Sequence, residues 1–213
     1  MDRSSISSQG LFIAFEGLDG CGKTTQAKML IDYLSRGDMP HKHVREPGGT
    51  VVGVKIRQLL LDPETMLTTW GEAMLYATAR AQLVQDVISP ALARGEVVVC
   101  DRYLFSSLAY QGYGLGLNVE LVKTINMKAV GGLLPHISFL LDIPPEAGLQ
   151  RQSSQRGLDR IEQRDSNYHQ RVRCGYQQLA KDYSLIILNG EASAEEIHRQ
   201  VIERVNTYIE GGR

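Results

Sequence analysis

The stretch Glu16–Thr25, EGLDGCGKTT, follows the apolar run Leu11–Phe15, LFIAF. Together they read as a strand, a glycine-rich loop and the start of a helix. Gly17, Gly22, Lys23 and Thr24 hold the Gly-x-x-x-x-Gly-Lys-Thr spacing. In that context the loop N–H groups and the helix N-terminus form a concave anion site. Lys23 is then placed to reach terminal phosphates, and the Thr24 hydroxyl to ligate Mg²⁺. The expected contacts to ATP are Gly17, Leu18, Asp19, Gly20, Cys21, Gly22, Lys23, Thr24 and Thr25. One of them is out of character. Asp19 puts a carboxylate into a loop built for anions.

The rest of the chain bounds the setting. Its 213 residues are enough for one sizeable core, and a single domain over 11–213 is expected, with 1–10 as a flexible polar tail. That tail has no apolar core of a signal peptide. Apolar residues make up 43% and charged residues 22%, which excludes a disordered chain. The formal net charge of -1 supplies no long-range pull toward nucleic acid or anionic membranes, so neither is expected as a partner. No apolar run approaches the roughly 20 residues that span a bilayer. The three cysteines, Cys21, Cys100 and Cys174, form no metal-binding spacing and fit a reducing, cytoplasmic setting.

Short apolar runs alternate with longer amphipathic ones. Strands are predicted at 11–16, 43–46, 97–101, 137–142 and 184–189. Helices are predicted at 23–35, 51–61, 69–94 (kinked or broken at Pro90), 104–110, 119–130, 146–152, 168–181 and 194–208. Continuous apolar strands between helices imply an α/β fold in three layers, a five-stranded parallel sheet flanked by helices. Ligands in such sheets bind beyond the carboxyl ends of the strands, where Gly17, Glu46, Asp101 and Asp142 fall.

A guanine-reading segment and the signature of transporter ATPases are both missing from the sequence. A small-molecule kinase needs a second anion site and arginines to cover the transfer, and three segments offer them. In Cys100–Tyr103, CDRY, Asp101 ends a strand and is suited to help hold Mg²⁺, while Arg102 is suited to grip a phosphate. In Tyr76–Arg80, YATAR, the i,i+4 spacing puts ring and guanidinium on one helical face. A core tyrosine with a snorkelling arginine satisfies that spacing as well as a base-binding pair does. Arg151, Arg156, Arg160 and Arg164 crowd around Gly157. Such a run reads either as a solvated helix face or as a lid, at about 150–165, that closes over the triphosphate.

Taken together, FIAFEGLDGCGKTT, REPGGT (Arg45–Thr50), IRQLLLD, EAMLYATAR, DRYLFSSLAYQGYG and RGLDRIE resemble the thymidylate kinase family over nearly the whole chain. The resemblance implies a P-loop kinase fold and transfer of a phosphoryl group from ATP to dTMP, with Mg²⁺ as cofactor and a homodimer as the assembly. It implies roles as well. Lys23, Asp101, Arg102, Arg156 and Arg160 would be catalytic, the last two from the lid. Asp19, Glu46, Arg57, Tyr76, Arg80, Arg102, Ser107, Tyr110 and Gln111 would bind dTMP. In that set Asp19 meets the sugar 3′-hydroxyl, Tyr76 stacks on thymine and Arg80 bonds the pyrimidine edge. Thr24 and Asp101 would serve the metal. Two other readings stand beside it: a kinase for thymidine itself, and a nucleotide-binding regulatory module without turnover.

Overall fold

The computed structural model describes residues 10–153 and 159–211. Five parallel strands, β1 (Leu11–Gly17), β2 (His41–Arg45), β3 (Val97–Asp101), β4 (Ile137–Asp142) and β5 (Ile186–Asn189), form one sheet in the order β2-β3-β1-β4-β5. Around it lie α1 (Lys23–Arg36), α2 (Val51–Leu61), α3 (Thr69–Leu83), α4 (Ser89–Ala93), α5 (Leu104–Ser107), α6 (Val119–Ala129), α7 (Pro145–Ser153), α8 (Ser166–Asp182) and α9 (Ala194–Gly211).

The interior strands are apolar on both faces because each face has its own layer of helices. Phe12 and Ala14 of β1 join Val98 and Cys100 of β3 in one core, covered by Tyr168, Val172, Tyr176 and Leu179 of α8. Leu11, Ile13 and Phe15 join Val97 and Val99 in the other, covered by Leu30 and Leu34 of α1 and by Val201 and Val205 of α9. The period of two sorts one continuous run into two cores. On the edge strand β2 only Val44 is buried, so the sequence HKHVR keeps its charges outside.

Two predicted helices are interrupted, both for backbone reasons. The 69–94 helix gives way after α3 to a π-helical turn, Val84–Ile88, before α4 resumes. There the Ser89 N–H reaches back five residues to the Val84 carbonyl, and Pro90 follows with no N–H to donate. The 104–110 helix is α5 plus a second π-helical turn, Leu108–Gly114, where the Leu115 N–H bonds to the Tyr110 carbonyl.

Most of the predicted N-terminal tail, 1–9, lies outside the described residues. Gly10 belongs to the domain: it is buried, its N–H donates to the Leu92 carbonyl at 3.0 Å, and an added Cβ would stand 2.3 Å from the Glu96 carbonyl oxygen.

β2 and β3 flank β1 on one side, β4 and β5 on the other. The chain therefore diverges at the carboxyl end of β1, the place where such sheets open a crevice. A second glycine contact braces that place. A Cβ on Gly20 would stand 2.1 Å from the Gly148 carbonyl oxygen, and one on Gly148 would stand 2.4 Å from that of Asp19. The first turns of α7 thus rest on the loop backbone.

Candidate active site

After β1 the chain turns through Gly17, Gly20 and Gly22, all at positive φ, before α1 begins. Gly22 is the N-cap in a left-handed conformation, and no side chain caps the helix. The first-turn N–H groups are thereby left to face a ligand. Lys23 folds over the loop, its Nζ donating to the Leu18 carbonyl at 2.6 Å and lying 3.4 Å from Cys21 Sγ. The Thr24 hydroxyl donates to Asp101 Oδ2 at 2.6 Å. A cavity of about 1050 Å³ opens here, lined by the loop from Asp19 to Gln26 and by Arg45, Asp101, Arg102, Arg151 and Gly190.

A second cavity, of about 520 Å³, lies beside the first. Its walls include Glu46, Pro47, Arg57, Tyr76, Ser106, Ser107, Tyr110, Gln111 and Asp159. Asp19, Arg45 and Arg102 line both cavities. They form the partition between two neighbouring ligand spaces.

Arg102 is the most engaged of these. Its backbone stands at φ 72, rare for a residue with a side chain, and its N–H is tied to the Phe15 carbonyl at 2.9 Å. Such a conformation costs roughly 1–3 kcal/mol and persists only where the surroundings impose it. Nη1 donates to the Gly17 carbonyl at 2.9 Å and to the hydroxyls of Ser106 at 3.3 Å and Tyr176 at 3.4 Å. Nη2 donates to Asp19 Oδ1 at 2.5 Å and to the Tyr110 hydroxyl at 3.2 Å. Tyr110 donates in turn to Asp19 Oδ2 at 2.9 Å. Burial alone would raise the Asp19 carboxyl, but Arg102, Lys23 and these hydrogen bonds overcome it and hold the group well below the usual carboxylate range. Asp19 is therefore a charged acceptor with lone pairs to offer a ligand.

Glu16, one residue before the loop, was not singled out by the sequence pattern. It is fully buried and accepts from the Tyr103 N–H at 3.0 Å, Ser106 Oγ at 2.6 Å and the Tyr176 hydroxyl at 3.0 Å. Burial pushes its carboxyl upward against these bonds. Both hydroxyls also touch Arg102, so Glu16 steadies the guanidinium from behind. Arg45 and Arg151 are further residues that spacing did not assign. Arg45 ends β2, and its Nε stands 3.8 Å from Asp101 Oδ2. Arg151 donates to the Gly190 carbonyl at 3.0 Å.

Two of the expected site residues stand elsewhere. Arg80 does not line the second cavity. It is only 1% exposed, and its guanidinium lies behind the wall. There Nε donates to Glu46 Oε2 at 2.7 Å, Nη1 to Ser107 Oγ at 2.9 Å and to Asn126 Oδ1, and Nη2 to the Tyr103 carbonyl at 3.1 Å. Glu46, 3% exposed, is correspondingly an ion-pair partner as well as a cavity residue. Arg160 lies away from the phosphate loop. Its Nε donates to the Leu60 carbonyl at 2.8 Å and its Nη2 to Glu72 Oε2 at 2.7 Å. Arg156 lies outside the described residues. Arg57, Tyr76, Ser107, Tyr110 and Gln111, which the resemblance assigns to dTMP, all line the second cavity.

A phosphate loop on a parallel sheet, with a second cavity meeting it at Asp19, Arg45 and Arg102, defines a P-loop phosphotransferase. The family model for thymidylate kinase matches residues 15–201. The chain is 43% identical to a thymidylate kinase of Caldanaerobacter subterraneus subsp. tengcongensis, over 96% of this chain and 99% of the relative. It is 45% identical to one from Halothermothrix orenii (92% and 97%) and 44% identical to one from Deinococcus radiodurans (91% and 95%). The chain belongs to the thymidylate kinase family, and it has the P-loop kinase fold.

That family implies Mg²⁺, and the donors present suit it. Thr24 and Asp101 offer hard oxygens side by side at the mouth of the loop. Among the described residues no three His, Cys, Asp or Glu side chains gather into a metal cage. Mg²⁺ is ordinarily held by one or two protein oxygens together with substrate phosphates and water, so a site of this kind needs no cage.

Proposed function

We propose that this chain transfers the γ-phosphoryl group of ATP to the phosphate of dTMP, yielding ADP and dTDP. The observation that carries the reading is the shared wall: Asp19 and Arg102 face both the phosphate loop and the second cavity. ATP would occupy the loop, with its phosphates on the N–H groups of α1 and on Lys23. The acceptor would lie in the second cavity, with its base beside Tyr76 and Gln111, its sugar near Asp19 and Tyr110, and its phosphate toward Arg57 and Arg102.

A phosphate monoester is mostly dianionic at neutral pH, since its second pKa is near 6. Its oxygen is already a nucleophile, so no general base is required. It attacks the γ-phosphorus in line, the bond to the β–γ bridging oxygen breaks, and ADP leaves with that electron pair. The obstacle is repulsion between two anions, which positioning and charge neutralisation must overcome. Lys23 would draw charge from the donor. Arg102, its guanidinium clamped by Asp19, Gly17 and Tyr110, would hold the acceptor oxygen on line without reorganising. Thr24 and Asp101 would hold Mg²⁺, which would supply positive charge to the donor phosphates. Arg151 lines the donor cavity and is the described arginine of the basic segment best sited to serve there. A lid role for Arg160 would require it to leave Glu72.

An ADP-release assay tests the reading, with dTMP, thymidine and no acceptor run in parallel. Turnover with dTMP alone is expected. Turnover with thymidine instead would support a deoxynucleoside kinase, and none with any acceptor would support a binding module.

We also propose a homodimer that works in the cytoplasm. The outer face of α2 carries Val51 at 76% exposure with Val54 and Leu59, and Met74 of α3 lies exposed as well. A second copy of the same face would cover them. The three cysteines form no disulfide, and no helix among the described residues is long and apolar enough to cross a membrane.

A further inference from the structure

Glu72 lies in the first turn of α3 and is 1% exposed. Its Oε2 accepts from Arg160 Nη2 at 2.7 Å and from Arg164 Nη2 at 2.5 Å. Its Oε1 accepts from Gln111 Nε2 at 3.0 Å. A carboxylate facing two guanidiniums accepts hydrogen bonds and donates none. Gln111 must therefore give its NH₂ group to Glu72. The two arms of an amide point apart, so the carbonyl Oε1 is turned the other way. Among the described residues no protein group donates to that oxygen, and Gln111 lines the acceptor cavity.

We propose that Glu72 determines base specificity through Gln111. By fixing the amide, it makes the cavity present a hydrogen-bond acceptor to the base. That acceptor suits a pyrimidine carrying N–H at ring position 3, as thymine and uracil do. It repels cytosine, whose ring nitrogen at that position is itself an acceptor. The proposal rests on the reading that the second cavity takes dTMP. Glu72 touches no substrate and acts as a positioning residue. Because Arg160 and Arg164 share the same carboxylate, the dock of residues 160–164 and the orientation of the amide depend on one group.

The test is Glu72→Gln, which replaces a pure acceptor with an amide able to donate or accept. Gln111 is then free to turn over. We expect the kcat/KM ratio of dTMP to dCMP to narrow at least about tenfold, because a site built to pair one hydrogen-bonding edge loses its discrimination once the pairing group can invert. Arg164→Met is the control. It loosens the same dock while leaving a carboxylate for Gln111, and it should lower both activities with the ratio unmoved. A ratio unmoved in an active, folded Glu72→Gln enzyme overturns the proposal. Titration of the wild-type protein with dUMP and dCMP, which both lack the methyl group, gives a second measurement that depends on no variant. We expect dUMP to bind about 100-fold more tightly or better, and equal affinities overturn the proposal. A wild-type protein that uses dCMP and not dTMP refutes the acceptor reading itself, an outcome separate from an unmoved ratio.

Discussion

Replacing Arg80 with methionine separates a wall residue from a base reader. The wild-type guanidinium forms a buried ion pair with Glu46, 2.6 Å at its shortest, and donates to Ser107, Asn126 and the Tyr103 carbonyl. Methionine fills similar volume and donates nothing. Removing one member of a buried pair costs about 3–5 kcal/mol, because the other is left without its partner and must stay charged and unpaired or take up a proton. For a chain of this size each kcal/mol lowers Tm by about 2–4 °C, so a drop of about 6–20 °C is expected near pH 8.5. The pH dependence follows from Glu46. Burial pushes its carboxyl up, to about 7, while Arg80 pulls it down. Without Arg80 it rises further. A native state with a raised carboxyl keeps a proton that the unfolded chain has released, so stability is lost as pH rises. Below about pH 7 the carboxyl holds its proton in wild type and variant alike, and the gap between them stays constant. Above it the gap should widen by up to about 1.4 kcal/mol per pH unit until the variant's own carboxyl ionises. Urea denaturation of both proteins at pH 6 and pH 8.5 measures this directly. A variant with wild-type stability and weakened dTMP binding would refute the reasoning, and so would a gap that narrows with rising pH.

Other consequences can be checked by simpler means. Asp19→Ala removes an acceptor from Arg102 and, in the proposed complex, from the sugar 3′-hydroxyl. The loss in kcat/KM for dTMP should be about 10- to 150-fold, the range of a charge-assisted hydrogen bond. ATP affinity should change little, and an acceptor lacking the 3′-hydroxyl should be less affected. Thr24→Val deletes one of two metal-facing oxygens, and an Mg²⁺ titration of activity should shift its midpoint upward about tenfold or more. Val54→Glu places a charge on the exposed face of α2, and light scattering should find the mass of one chain where the wild type gives two. A variant that keeps the mass of two would exclude that face as the dimer contact.

The sheet was legible because its chemistry is local. β3 and β4 are buried runs, VVVCD and ISFLLD, and both match the predicted bounds. β1 was expected to stop at Glu16 and continues to Gly17, while β5 begins at Ile186. The phosphate loop was legible too, since backbone N–H groups do the work and the glycine spacing fixes them. What escaped depends on partners far along the chain. The i,i+4 spacing puts Tyr76 and Arg80 on one face, but whether the guanidinium snorkels, reads a base or enters the core depends on Glu46, 34 residues earlier. Arg160 belongs to a run that spacing alone reads as lid or surface, and its dock on Glu72 spans 88 residues. The π-helical turn that carries Tyr110 and Gln111 has no hydrophobic period of its own. It follows from the packing of α5 and α8 around it. Glu16 escaped for a similar reason: a carboxylate at a strand end is unremarkable until Ser106 and Tyr176 close over it.

The contact between Gly20 and Gly148 bears on how stiffly the phosphate loop is held. Two peptide backbones meet there with no side chain between them to bend or change rotamer. Such a joint has almost no slack. It sets the loop on the same footing as α7, whose Arg151 reaches across to the Gly190 carbonyl. A single added methyl at either glycine would force the two backbones apart and take the loop off its seat.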